Sequence, residues 1–228
     1  MTTQAVSNPD PDFISPKIQF KETLTKASIG RFRVEENFDL AIELKPNERG
    51  AGVVFVGDFD HSVKIIEFFS ALKQGVEKAL STGILGYPMT DIEVRVLEGI
   101  FLPKEFNHKA IEEAALKATI EAIRNGKPVL LEPIMNCQIT SPEELAEVIV
   151  RDLNMRRSKI ISLNKSAKDQ RIIECHVPLM ELFQYAHALR ALSQGKASFS
   201  IGPDHYSVVP LEIANKIIKD GHSKDGID

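Results

Sequence analysis

Residues Val177 to Pro210 read VPLMELFQYAHALRALSQGKASFSIGPDHYSVVP, and their pattern decides the fold. Pro178 suits a first helical position, where its fixed φ is favourable and its missing N–H costs nothing. Leu179, Leu182, Phe183, Ala186 and Leu189 recur at helical spacing and form one apolar face. Gly195 lies where a left-handed residue stops a helix. Ala197, Phe199 and Ile201 alternate with polar neighbours, the pattern of a half-buried strand. Helix, tight turn and strand make one half of an α+β sandwich.

The other half lies just upstream. Val129 to Ile139 reads as a strand, and Pro133 within it predicts an edge or a bulge. Ser141-Pro142-Glu143-Glu144 has the spacing of a capping box. Leu145, Val148, Ile149 and Leu153 follow on one helix face, and Ile160-Ile161 and Ile173, Cys175, Val177 supply two more strands. The order βαββαβ over residues 128–210 predicts a ferredoxin-like sandwich. Its first and third strands are neighbours, which places Cys137 near Cys175. Residues 211–228 read as a short helix, through Ile213, Ala214 and Ile217, and a tail.

Residues 16–127 carry a different pattern. Ile18 to Thr23, Phe32 to Leu44, Val53 to Val56 and Ile92 to Val96 read as strands. Residues 63–80 and 108–125 read as amphipathic helices, the second capped by Asn107 and stopped by Gly126 and Pro128. This is a four-stranded α+β unit with two crossover helices. Residues 1–15, polar and holding Pro9 and Pro11, are expected to be a disordered tail.

Composition narrows the function classes. The chain has 228 residues, 43% of them hydrophobic, enough for two small domains with real cores. Lys and Arg number 28 against 32 Asp and Glu, so no global basic field exists and any nucleic-acid contact must be local. Two cysteines imply reduced core thiols, not a disulfide scaffold. No apolar run reaches the ~20 residues that span a membrane, and the N-terminus lacks the features of a signal peptide. These features lead us to expect a cytoplasmic chain, and Met1 with no tag a complete one.

The opening stretch resembles the last domain of the elongation factor G family. The carriers are Val177-Pro178-Leu179, Glu181, Phe183, Tyr185-Ala186, Leu189-Arg190, Gln194-Gly195, Ser198-Phe199, Asp204-His205-Tyr206 and Val209-Pro210, with Pro128 to Met135, Thr140 to Glu144 and Asp152 to Arg157 upstream. Residues 16–127 resemble that family's fourth domain, which has the fold of ribosomal protein S5 domain 2. There the carriers are Pro16-Lys17-Ile18, Glu22-Thr23, Gly75, Glu77-Lys78-Ala79, Gly83, Gly86-Tyr87-Pro88, Asp91 to Val94 and Gly99. The resemblance implies docking on ribosomal RNA and protein. It also implies that the family's GTPase belongs to other domains, in keeping with the lack of any GxxxxGK[ST] loop here.

The departures fall at the family's two tip loops. A glycine-rich loop is replaced by the region of Glu35, Glu36 and Asn37, which is shorter and acidic. In the second loop Leu102 stands at the position of the tip histidine, beside Lys104 and Glu105. In the last domain Ser158, Gln184 and Ala197 replace family glycines.

Candidate chemistry is sparse. The six histidines show no metal-ligand spacing, and Cys175 and His176 point to opposite faces of one strand. No catalytic residue, metal, cofactor or small-molecule substrate is expected. The one charge concentration is Arg151, Arg156, Arg157, Lys159, Lys165, Lys168 and Arg171 against Asp152 and Asp169: seven cations less two carboxylates, net +5. It is the candidate ribosome-binding surface, weighed against a solvated helix end and hairpin. Lys17, Lys21, Lys26, Arg31 and Arg33 form a second basic stretch. Two readings follow. One is a ribosome-binding protein without GTP hydrolysis of its own. The other is a diverged scaffold that assembles with itself, with a separate GTPase subunit or with another protein.

Overall fold

The structure is a computed structural model and describes residues 18–34, 38–56, 63–97, 108–166 and 169–222. The tails expected at residues 1–15 and beyond the last helix lie outside the described residues. The chain divides into two compact units. One comprises Phe20–Leu131 and the chain from Val208 onward, and the other is built on Glu132–Ser207.

The first unit begins with β1 (Lys21–Leu24), β2 (Ser28–Val34), β3 (Phe38–Pro46) and β4 (Val53–Val56). Helix α1 (Val63–Thr82), strand β5 (Ile92–Leu97) and helix α2 (His108–Asn125) follow. A four-stranded sheet has the order β2-β3-β5-β4. The single strand expected over Phe32–Leu44 is instead the end of β2 and most of β3, two strands of a hairpin that pair in register from Ser28↔Leu44 to Val34↔Phe38. Its connection, residues 35–37, lies outside the described residues.

Alternation sets the buried face: Leu40, Ile42 and Leu44 of β3 are fully covered, together with Leu72 and Val76 of α1 and Ala115, Ala118 and Ala122 of α2. Each fully buried Leu or Ile contributes about 1.5–3 kcal/mol of transfer free energy. Two glycines allow the layers to close. A Cβ on Gly30 would lie 1.9 Å from the Ala118 carbonyl oxygen, and one on Gly75 would lie 2.2 Å from that of Glu112. Helix α2 therefore sits on β2 and α1 at backbone-contact distance.

Three of the motif elements of this unit, Glu22, Gly83 and Gly86-Tyr87-Pro88, share one knot. Glu22 is fully buried, and its carboxylate accepts N–H bonds from Ile84 (3.2 Å), Leu85 (2.9 Å) and Tyr87 (2.9 Å). Gly83, at φ +59°, passes so close that a Cβ would meet the Glu22 carboxylate at 2.3 Å. Burial raises the Glu22 pKa, and the backbone donors oppose the rise. The spacing of Glu22, Gly83 and Gly86-Tyr87-Pro88 is thus the spacing of a braced turn.

The second unit contains most of β6 (Pro128–Pro142), a 3₁₀ turn (Glu143–Leu145), α3 (Ala146–Met155), β7 (Lys159–Ser166) and β8 (Gln170–Pro178). A second 3₁₀ turn (Leu179–Leu182), α4 (Tyr185–Ser193) and β9 (Ser198–Val208) complete it. The pairings β6–β8, β8–β7 and β6–β9 give the order β9-β6-β8-β7, the ferredoxin-like arrangement. Cys137 and Cys175 are directly opposed across β6 and β8, both buried and free, beneath Ile149, Leu153, Tyr185 and Leu189.

Three local expectations change. The capping box does not form: Ser141 is a buried β6 residue whose hydroxyl donates to the Pro142 carbonyl, and no side chain caps the turn that follows. The helix expected from Pro178 breaks in two, because Phe183 is extended and Gln184 is left-handed at φ +59° before α4 begins. Of the edge or bulge expected at Pro133, the edge falls, because β6 is an interior strand between β9 and β8. Pro133 is accommodated because register with β1 ends at Leu131 and register with β8 starts at Ile134.

Helix α5 (Leu211–His222) closes the chain. Ala214, with Ile213 and Ile217, packs with Leu130, Val209, Phe20 and Tyr87 in the first unit.

Candidate nucleic-acid interface

The net +5 segment spans the end of α3, strand β7 and the start of β8. Its cations divide by what they touch. Helix α3 ends with Arg156 as its last half-helical residue and Arg157 left-handed at φ +55°. The Ser158 N–H donates to the Leu153 carbonyl at 3.2 Å, closing the helix in the way glycine usually allows. An arginine holds this conformation because its side chain is fixed from both sides. Nη1 and Nη2 donate to the two Glu132 carboxylate oxygens at 2.7 and 2.9 Å, and Nε donates to Glu181 at 2.7 Å. The Glu132 side chain is 3% exposed and that of Arg157 23%. Hydrogen bonding to Glu132 and then to Glu181 raises the Arg157 pKa despite desolvation.

Arg156 is held in a parallel way. Its Nε donates to Asp152 at 2.8 Å, its Nη1 donates to the Glu181 carbonyl at 2.9 Å, and its guanidinium lies 5.0 Å from the centre of the Tyr185 ring. These two arginines join α3, β6, the 3₁₀ turn at Leu179–Leu182 and α4.

Arg151 and Lys159 face solvent. Arg151 is 76% exposed and reaches Glu147 only at 3.6 Å. Lys159 opens β7 and is exposed. Lys165 and Arg171 share Glu143 at 2.9 and 2.7 Å, and these two contacts hold the Glu143 carboxyl below the usual carboxylate range. Lys168 lies outside the described residues, as do Glu35, Glu36, Asn37, Leu102, Lys104 and Glu105 of the two tip loops. In the second basic stretch Arg31 and Arg33 both pair with Asp39, at 3.3 and 2.7 Å.

One constellation was not visible in the sequence spacing. His176 of β8 and Asp204 and His205 of β9 bring their ligand atoms within 4.8 Å of one another. The His205 Nδ1 pairs with Asp204 Oδ2 at 2.5 Å, and His176 Nε2 lies 3.7 Å from the same oxygen. His205, with His176 second, lowers the Asp204 pKa. The order β9-β6-β8 sets both strands beside β6, but the register that aligns these positions is not written in their spacing.

Comparison with known proteins adds the family. The family model "Elongation factor G, domain IV" matches residues 16–127, and "Elongation factor G C-terminus" matches residues 129–217. Elongation factor G of Aquifex pyrophilus is 35% identical over 211 residues, covering 89% of this chain and 30% of its own. A crystal structure of a Thermus thermophilus protein superposes with a TM-score of 0.74 at 25% identity, covering 91% of this chain and 32% of its own. The chain thus spans about a third of the length of the relatives it matches.

Proposed function

We propose that this chain, which belongs to the elongation factor G family and carries its domain IV and C-terminal domain, binds the ribosome without hydrolysing nucleotide itself. The observation that supports this reading is the match of both C-terminal domain types in their family order over residues 16–217. Neither matched region contains a GxxxxGK[ST] phosphate loop, which supports this reading.

The contact surface we infer is the solvent-facing part of the basic segment, Arg151 and Lys159, with Lys165 and Arg171 beside it. Arg156 and Arg157 serve the fold that presents it. Cations on a rim give phosphate binding that weakens with salt. A cytoplasmic location follows from this reading. The test is co-sedimentation with ribosomes and separated subunits at low and moderate salt. Pelleting at low salt that declines with salt supports the reading.

A second reading has its own observation. β7 is a terminal strand of its sheet, and Ile161 and Leu163 on it are 49% and 47% exposed. An apolar sheet edge favours strand or face pairing. In that reading the chain self-assembles or joins a separate GTPase subunit. Sedimentation equilibrium, alone and with a candidate GTPase chain, separates the two.

A further inference from the structure

We propose that His176, Asp204 and His205 form a binding site for a borderline transition-metal ion of the zinc class. The three side chains come from two strands and converge on one point. Both imidazoles approach the same carboxylate oxygen, Asp204 Oδ2, with His205 Nδ1 at 2.5 Å and His176 Nε2 at 3.7 Å. The two imidazole rings stand edge to face with centroids 5.4 Å apart, so neither blocks the other.

The spacing fits an ion. Zinc binds imidazole nitrogen and carboxylate oxygen at about 2.0–2.1 Å, so two donors on one tetrahedral ion lie roughly 3.3 Å apart. All the donor atoms here already lie within 4.8 Å of one another. Shifts of about an ångström, available to half-exposed side chains, bring all three to bonding distance of a common centre. The proton between His205 Nδ1 and Asp204 leaves to solvent as the ion takes its place.

The donor set selects the metal class. Two imidazoles and one carboxylate suit zinc, cobalt, nickel or copper, and are poor for magnesium or calcium, which want oxygen ligands. Three protein ligands leave a fourth position open to water or to an outside group. The side chains are 28% (His176), 36% (Asp204) and 46% (His205) exposed, so the ion can enter from solvent. The register partners of His176 are Asn136 on β6 and Lys159 on β7. Of these two, Lys159 carries a charge that opposes a cation, and its exposure to solvent weakens that opposition.

The test uses the full chain, stripped of metal with a chelator that is then removed. Cobalt(II) is titrated and its visible absorption followed. Zinc is then added in competition, and magnesium in a separate cell. We expect one saturable cobalt site displaced by zinc and not by magnesium. His176→Ala, His205→Ala and Asp204→Asn each weaken zinc at least ~10-fold, since changes even outside the ligand shell of a metal site cost that much. His187→Ala, an exposed histidine on α4, leaves the affinity unchanged. Circular dichroism checks that every variant is folded, and Asp204→Asn, nearly isosteric, keeps the test usable if an alanine variant is not. The proposal is overturned if no saturable binding occurs, if a His176→Ala/His205→Ala double variant binds as tightly as the parent, or if magnesium binds as tightly as zinc.

Discussion

Arg156 and Arg157 at the end of α3, and Arg151 and Lys159 on either side of them, are alike in sequence and opposite in environment. The first pair is surrounded by acceptors: Glu132, Asp152, Glu181 and the face of Tyr185. The second pair faces water, with Arg151 reaching Glu147 at 3.6 Å. A run of cations is undifferentiated in sequence, and the fold decides which of them turn inward. Half-buried, hydrogen-bonded arginine holds a joint between elements, and the rim cations stay in solvent.

The contrast can be broken most forcefully at Arg157. Arg157→Ala leaves Glu132 buried without its partner, and the expected loss is about 3 kcal/mol or more by urea unfolding. A loss under about 1 kcal/mol would mean the pair is as dispensable as a surface bridge. Arg156→Ala follows, at about 1–3 kcal/mol, because it removes a charged hydrogen bond, a carbonyl partner and the stack on Tyr185.

A gain is expected at Gln184. Its φ of +59° is the left-handed region, which costs a side-chain-bearing residue about 1–2 kcal/mol. Gln184→Gly relieves that cost and adds some unfolded-chain entropy. The net expected effect is a stabilisation of about 0.5–1 kcal/mol, read as a higher Tm. Arg151→Glu with Lys159→Glu should shift stability by less than about 0.5 kcal/mol.

The smallest effect concerns pH. Lys165 and then Arg171 depress the folded-state pKa of Glu143, so its contribution to stability is present above its unfolded value and is lost as pH falls through the folded one. Glu143→Gln should therefore lower stability slightly in the neutral region, by the contribution that the parent loses on acidification, and flatten the acid limb below about pH 4.5. An unaltered acid limb would mean that the contacts with Lys165 and Arg171 do not persist in solution.

Much of the architecture was readable because periodicity and turn residues act locally. α2 occupies His108–Asn125, where apolar spacing and Gly126 place it, and β3, β5 and β8 carry the alternation that buries Ile42, Val94 and Cys175. The failures came from tertiary contacts. Ser141 has the spacing of a cap, but strand pairing with Arg171 carries β6 past it and buries it. The apolar stripe from Leu179 to Leu189 looks continuous, yet Gln184 breaks it, at a position where the family resemblance placed glycine. The candidate site was legible only as charge. Which cations point outward depends on Glu132 and Glu181, residues remote from the segment in sequence. The His176, Asp204 and His205 cluster depends in the same way on strand register.

The most direct test is a ribosome pelleting series at low and moderate salt, comparing the parent chain with Arg151→Glu/Lys159→Glu. The account predicts that the parent pellets at low salt and is released as salt rises. The variant, equally folded, is expected to bind roughly tenfold more weakly with a shallower salt dependence. A parent chain that stays in the supernatant at low salt with ribosomes and both subunits, or a variant that pellets identically, would contradict it.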